Sequence, residues 1–204
     1  MDITPDLLDQ APLGTLTRLT LGWPAERTPL RPGQWLTTDE GLRLWPMMPP
    51  SSGRIELLSA NAPRPGARFR VRIDGAPLPL PDGPLLLAAE GLGLAPLIHL
   101  CASERAHRPL LAMLETASPP LFRPRPSRFI LEGLPPAAIA AVPLLEDWGI
   151  PSRIASPEGL PGCYEGGLEA LLPAGSTIVA CGGHAFLARI GEARSLALRL
   201  ETAA

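Results

Sequence analysis

A short apolar run interrupted by a pair of glycines constrains the folding of this chain more than any other feature. Leu85-Leu86-Leu87-Ala88-Ala89 is an unbroken stretch of small and branched apolar residues, which suits a strand buried on both faces of a parallel sheet. Glu90 ends it, and Gly91-Leu92-Gly93-Leu94-Ala95-Pro96 follows. Leu94, Leu97, Ile98 and Cys101 recur at helical spacing, with Pro96 in the first turn, where a missing N–H costs nothing. A strand, a tight glycine turn and a helix opening at that turn offer backbone N–H groups and a positive helix end to an anion. Nucleotide pyrophosphate is a common anion of that kind. The same stretch would also serve as a plain strand-to-helix connection, its glycines needed only for the turn.

At 204 residues and 46% apolar, the chain can bury one large core or two small ones. Its net charge of −2 creates no broad field to draw in nucleic acid or an anionic membrane. Every one of the 18 basic residues is arginine, which excludes a P-loop lysine and a Schiff-base lysine. The start, Met1-Asp2-Ile3-Thr4-Pro5-Asp6, lacks a charged-then-apolar leader, and no run approaches the ~20 apolar residues that span a bilayer. The expected location is cytoplasmic, with no membrane span and no nucleic-acid partner. The three cysteines, Cys101, Cys163 and Cys181, are far apart and form no CxxC, so neither a zinc ribbon nor an iron–sulfur loop can be drawn. His99 and Cys101 sit in an apolar helix pattern and read as core, and His107 as a loop residue.

Residues 1–82 read as β-rich. Strands are expected at Thr15–Leu21, Trp35–Thr38, Gly53–Leu58 and Arg68–Ile73, the last with Phe69, Val71 and Ile73 on one face and three arginines on the other. Short strands at this spacing, punctuated by turns such as Arg31-Pro32-Gly33-Gln34 and Asp74-Gly75, point to a small barrel or sandwich. Ala76–Gly83 is too proline-rich for a central strand. From Pro84 onward strands alternate with helices. Leu110–Leu114 is a strand ending at Glu115, Ser118–Pro126 a loop, and Arg128–Leu131 a strand. Pro135–Trp148 is an amphipathic helix kinked at Pro143 and ended by Gly149. Ser152–Ala155 is a strand, Leu168–Leu172 a short helix, and Ser176–Ala180 a strand closed by Cys181-Gly182-Gly183. His184–Ala193 is a helix, and Leu196–Leu200 a last strand. The expectation is an α+β chain of two domains. A small antiparallel β-barrel over 1–82 precedes a doubly wound, mainly parallel α/β sheet over 83–204, with ligands at the carboxyl ends of its strands.

Several ordered pieces resemble the ferredoxin–NADP reductase superfamily, and within it the electron-transfer subunit of dihydroorotate dehydrogenase B. Arg31-Pro32-Gly33-Gln34-Trp35 is similar to the PGQ-aromatic turn of the flavin domain. Gly91–Pro96 resembles the family's G-x-G-x-x-P nucleotide loop. Pro161–Gly166 resembles the G-x-x-x-G segment, and Val179–Leu187 the CGP…ML signature, with Gly183 in place of the proline. The resemblance implies that Gly91, Gly93, Leu94, Ala95 and Pro96 hold the NAD(P) pyrophosphate. It places Cys181, Gly182 and Gly183 beside the nicotinamide, with Cys181 the nicotinamide-adjacent residue of the catalytic site. Cys181 equally reads as a small buried hydrophobe. Glu115, about two dozen positions after the glycine loop, suits a ribose 2′-hydroxyl and hence NAD. Arg123 and Arg125 suit NADP, and the choice stays open.

The flavin side departs from the family. Where an Arg-x-Tyr-Ser/Thr or Arg-Pro-x-Ser motif holds FAD, this chain reads Leu44-Trp45-Pro46-Met47-Met48. A tryptophan can stack but cannot neutralise a diphosphate. Arg43 and Arg54 are the nearby cations that would have to compensate. Asn61–Gly66 is shortened to a bare turn, and the four-cysteine cluster that carries an iron–sulfur centre is missing. Trp45, Pro46 and Met47 are therefore flavin-site positions with altered chemistry. The resemblance implies NAD(P) as cofactor, FAD with its binding Arg and hydroxyl replaced, and no iron–sulfur cluster. The expected function is an oxidoreductase or electron-transfer subunit passing hydride from NAD(P)H to a flavin and on to a partner protein, or working as a homo-oligomer. The alternative is a non-catalytic, reductase-like binding or assembly module. A hydrolase is disfavoured, since the chain has no G-x-S-x-G elbow.

Overall fold

The computed structural model describes residues 2–24, 29–64, 69–117, 120–173 and 175–202. Arg68 of the expected fourth strand, Pro65 and Gly66 of the shortened turn, and Ser118 of the proline-rich loop lie outside them.

Seven strands form the first sheet: β1 (Asp2–Ile3), β2 (Leu7–Leu13), β3 (Leu16–Gly22), β4 (Trp35–Thr38), β5 (Arg43–Pro46), β6 (Arg54–Ser59) and β7 (Val71–Asp74). Their order is β1-β7-β4-β5-β6-β3-β2, with every pairing antiparallel. The two edge strands β1 and β2 are consecutive in the chain. Laid flat, strands about 4.8 Å apart would put those edges about 29 Å from each other. The chain from Ile3 to Leu7 reaches about 15 Å at most. The sheet therefore curls until its edges approach, which is the expected small barrel; the Gly22 N–H donates to the Asp6 carbonyl at 2.8 Å, extending the β2–β3 pairing toward that gap. Leu19, Leu21, Leu36, Leu44, Ile55, Leu57, Phe69 and Val71 fill the inside, while Arg70 and Arg72 face out.

The second sheet contains β8 (Leu85–Glu90), β9 (Leu110–Glu115), β12 (Ser152–Ser156), β13 (Tyr164–Glu165), β14 (Ile178–Gly182) and β15 (Leu196–Glu201), in the order β13-β12-β9-β8-β14-β15. Every neighbouring pair is parallel. The apolar run behaves as its composition dictates. Leu85, Leu87 and Ala89 point into one core with helix α1 (Leu94–Glu104), and Leu86 and Ala88 into a second with helix α3 (His184–Ala193). The first core continues into the barrel through Trp45 and Leu58, so α1 is packed between the sheet and β5. Two polar links tie the same junction. The Arg108 guanidinium donates to the Pro81 carbonyl at 2.5 Å, and the buried His99 ring bonds the Leu30 backbone.

Two expected elements are corrected. Arg128–Leu131 forms a bend instead of a strand. The sheet position beside β9 belongs to β12, and the bend wraps the buried Glu146 carboxylate, which accepts from Ser127 Oγ at 2.7 Å and Arg128 N at 3.1 Å. The helix expected over Pro135–Trp148 shrinks to α2 (Pro143–Asp147). Before it, β11 (Ala140–Ala141) pairs with β10 (Arg125–Pro126). Pro143 opens the helix at its first position instead of kinking it, because only there does a proline leave no amide bond missing. Among the described residues no helix is long and apolar enough to cross a membrane.

Candidate functional site

The order of the parallel sheet reverses at β8. The chain leaves β8 toward β9, β12 and β13, then returns to the other flank at β14 and β15. At such a switch point the loops after the two adjacent strands part, leaving a crevice outside their carboxyl ends. The two loops here are the glycine corners, Gly91–Pro96 opening α1 and Gly182–His184 opening α3. They touch. A Cβ built on Gly93 would lie 2.1 Å from the Cys181 carbonyl oxygen and 2.9 Å from the Gly182 nitrogen, so only glycine lets the corners close. Gly91 serves the turn instead. Its φ is +51°, and a Cβ there would meet nothing within 4 Å. It bends the chain on the open side of the crevice. Leu94, Ala95 and Pro96 form the buried first turn of α1, which no side chain caps.

A cavity of about 320 Å³ opens beside these corners, lined by Glu90, Gly91, Glu115, Thr116, Leu121 and Glu158 among others. Its charge is mainly negative. The Glu115 carboxylate accepts both arms of the Arg189 guanidinium, at 2.5 and 3.0 Å, and the Leu168 N–H at 2.8 Å. Arg189 also holds Glu169 and stands 4.0 Å from Glu90. One guanidinium thus serves three carboxylates. Burial, reinforced by the neighbouring Glu115 charge, raises the Glu90 carboxyl above the usual range, while Arg189 and the Gly183 N–H act the other way.

Cys181 lies at the tip of β14, inside the strand and 2% exposed. Burial pushes its thiol up to about 12, so it is a neutral, weakly polar wall at neutral pH rather than a nucleophile. Gly182 is held small by the Phe186 ring, 2.5 Å from where its Cβ would be. Gly183 precedes α3 and lies beside the Glu90 carboxylate, whose Oε1 would be 3.5 Å from a Cβ built there.

The flavin-motif positions sit across α1. Trp45 is fully buried, its ring 5.0 Å from that of Trp35, and its indole Nε1 has no partner. Pro46 is buried, and Met47 is half-buried against the same core. The Arg43 guanidinium lies over the Trp35 ring at 5.4 Å. Arg54 lines a separate groove of about 650 Å³ on the outside of the barrel, next to Met48 and Arg18. Arg125 is committed to Asp147 and the Pro143 carbonyl. The structure thus brings Gly93 against Cys181 and Gly182, lines the neighbouring cavity with Gly91 and Glu115 but not with Gly93, Cys181, Gly182 or Gly183, and seats Trp45 and Met47 in the adjoining core. Sequence reading passed over Glu90 and Arg189. A charged residue closing an otherwise apolar strand, directly before the glycine turn, was the available signal for Glu90. Nothing local marks Arg189, which acts across the fold.

No known family's sequence model matches the chain, and no curated protein matches it. Solved structures do match in fold. An NADH-dependent reduced ferredoxin-NADP oxidoreductase studied for flavin-based electron bifurcation superposes with a TM-score of 0.68 at 13% identity, over 99% of this chain and 78% of that one. Ferredoxin-NADP+ reductase from Plasmodium falciparum gives 0.62 at 8% identity, over 97% and 96%. Flavohemoglobin from Malassezia yamatoensis, with bound FAD and heme, gives 0.61 at 15% identity, over 98% of this chain but 59% of that one. The chain has the two-part fold of ferredoxin–NADP reductase-like proteins.

Proposed function

We propose that this chain is a reductase-type module of an electron-transfer system. It would take a nicotinamide nucleotide at the switch-point crevice and work with a partner protein that carries the redox group accepting the electrons. The observation that carries this reading is the contact between the two glycine corners, Gly93 against Cys181. It brings the start of α1 and the start of α3 to one crevice at the strand tips, where pyrophosphate and a flat ring can both approach backbone. The likeness to reductases of the same architecture supports it. On this reading the units are 1–82, a flavin-reductase-like barrel, and 83–204, an NAD(P)-binding-like unit. The backbone of Gly91–Ala95 would hold the pyrophosphate, and the neutral Cys181 thiol would border the ring. A reduced nicotinamide supplies hydride; the protein supplies orientation.

The residues at the family's flavin position do not fit FAD. Trp45 and Trp35 occupy the space with indole rings, and the indole offers no charge to a diphosphate. No step is therefore routed through a flavin of this chain. Titration with NADH and NADPH, followed by tryptophan fluorescence and calorimetry, tests the reading. Saturable binding of one of them is expected, and no binding of either at millimolar concentration would overturn it.

A second reading, a non-catalytic binding or assembly module, is favoured by the complete burial of Trp45. It expects a protein that stays colourless after incubation with FAD and that oxidises no NADH with an artificial electron acceptor, alone or with its partner. Turnover in that assay removes it.

A further inference from the structure

Glu90 lies outside the backbone proposed to hold a nicotinamide nucleotide, yet it lines the same crevice. It ends β8 between the fully buried Ala89 and Gly91, and it lines the cavity of about 320 Å³. Its carboxylate stands beside Gly183, the residue that caps the ten-residue helix α3: a Cβ on Gly183 would lie 3.5 Å from Glu90 Oε1. Arg189 does not draw Glu90 away from that helix start. Its two arms are committed to Glu115 and Glu169, and it approaches Glu90 only to 4.0 Å. The positive end of a helix normally attracts an incoming anion through its free amides. Here the protein's own carboxylate already stands beside that helix end, and its charge faces the cavity.

We propose that Glu90 is a specificity-determining residue of the crevice: a built-in anion beside the start of α3 that competes with the phosphates of an incoming nucleotide. The crevice accordingly binds diphosphate-bearing nucleotides more weakly than it would without that charge, whereas a nucleoside is unaffected. This rests on the reading of the crevice as a nucleotide site. Replacing the carboxylate by the isosteric amide, Glu90→Gln, removes the charge and keeps the shape.

The test measures binding of adenosine and of ADP-ribose to the wild type, Glu90→Gln, Glu90→Ala and Glu158→Gln by calorimetry, with thermal melts to verify folding. Glu90→Ala should tighten ADP-ribose by about tenfold, the scale of one charge-assisted hydrogen bond, and Glu90→Gln, which loses the charge but keeps an acceptor oxygen beside α3, by less, while adenosine changes by less than about twofold. Glu158→Gln removes a charge from the same cavity away from the α3 start, so its gain should be smaller than that of either Glu90 variant. ADP-ribose affinity that is unchanged or weaker in both Glu90 variants, with the wild type binding it, overturns the proposal and leaves the nucleotide reading standing. An equal gain in Glu158→Gln also overturns it, because general charge removal would then suffice. Absence of binding of both probes to all four proteins overturns the proposal and the nucleotide reading together.

Discussion

The crevice side and the barrel side of helix α1 are built from opposite materials. On the crevice side, the corners at Gly91–Pro96 and Cys181–Gly183 meet backbone to backbone, and the contact exists because side chains are missing. On the barrel side, α1 meets β5 through large side chains, with Trp45 fully buried against Trp35 and the shared core. The same helix is therefore flanked by a contact that depends on missing side chains and by one that depends on large ones.

Truncating the larger filler gives the largest effect. Trp45→Ala should cost about 3–5 kcal/mol of stability, as expected when a buried aromatic leaves a cavity behind. Denaturant unfolding measures it, and a loss under about 1 kcal/mol would show that the indole is not what holds α1 to the barrel. The corresponding change on the other side adds an atom instead of removing many. Gly93→Ala forces a Cβ into the Cys181 carbonyl, built at 2.1 Å. Backbone on both sides can yield little, so about 3 kcal/mol is expected. A neutral Gly93→Ala would mean the corners are not in contact, and the contrast between the two sides would disappear.

The crevice side was legible in the sequence because backbone geometry leaves a residue-type signature. Gly91 is a glycine for its positive φ and Gly93 and Gly182 for want of room for a Cβ, and strands β8 and β14 are announced by continuous apolar runs. The barrel side was legible only in outline. Trp45 could be seen to lack the charge of a flavin motif, but whether an indole stacks on a ligand or fills a core depends on Trp35 and α1, which meet it only in the fold. Glu115 shows the same limit. Its position at the strand end was read correctly, whereas its bidentate bond to Arg189, 74 residues away, has no sequence signal. The pattern over Pro135–Trp148 suggests a longer helix than α2 because Pro143 reads there as a kink, whereas a turn and the two-residue strand Ala140–Ala141 occupy the stretch before it.

The barrel side of α1 also carries an acid-sensitive group. His99 lies on the helix, 1% exposed, bonded to the Leu30 backbone, and burial pulls its imidazole down to about 4. The unfolded chain takes up that proton near pH 6.5, the folded chain only near 4. Stability linked to His99 is thus fully present above about pH 6.5 and is lost as pH falls toward 4, up to about 3 kcal/mol in all. His99→Gln should flatten the unfolding free energy over that window relative to the wild type. Equal slopes for the two proteins would show that the imidazole is protonated or exposed at the junction, contrary to the packing described.

The smallest effect sharpens the comparison most, because it separates folding from binding at a single atom. Gly91 carries a positive φ of +51° with open space around its Cβ position. Gly91→Ala therefore meets no steric clash and incurs only the left-handed backbone penalty, about 1 kcal/mol. The added methyl, however, projects toward the cavity that Gly91 lines. Nucleotide binding should consequently weaken by more than the stability loss accounts for, in a protein that still folds cooperatively by thermal melt. Gly93→Ala should show the reverse balance, with stability lost first. If Gly91→Ala melts like the wild type and binds NADH or ADP-ribose as the wild type does, the ligand does not approach this turn, and the crevice is a packing seam instead of a site.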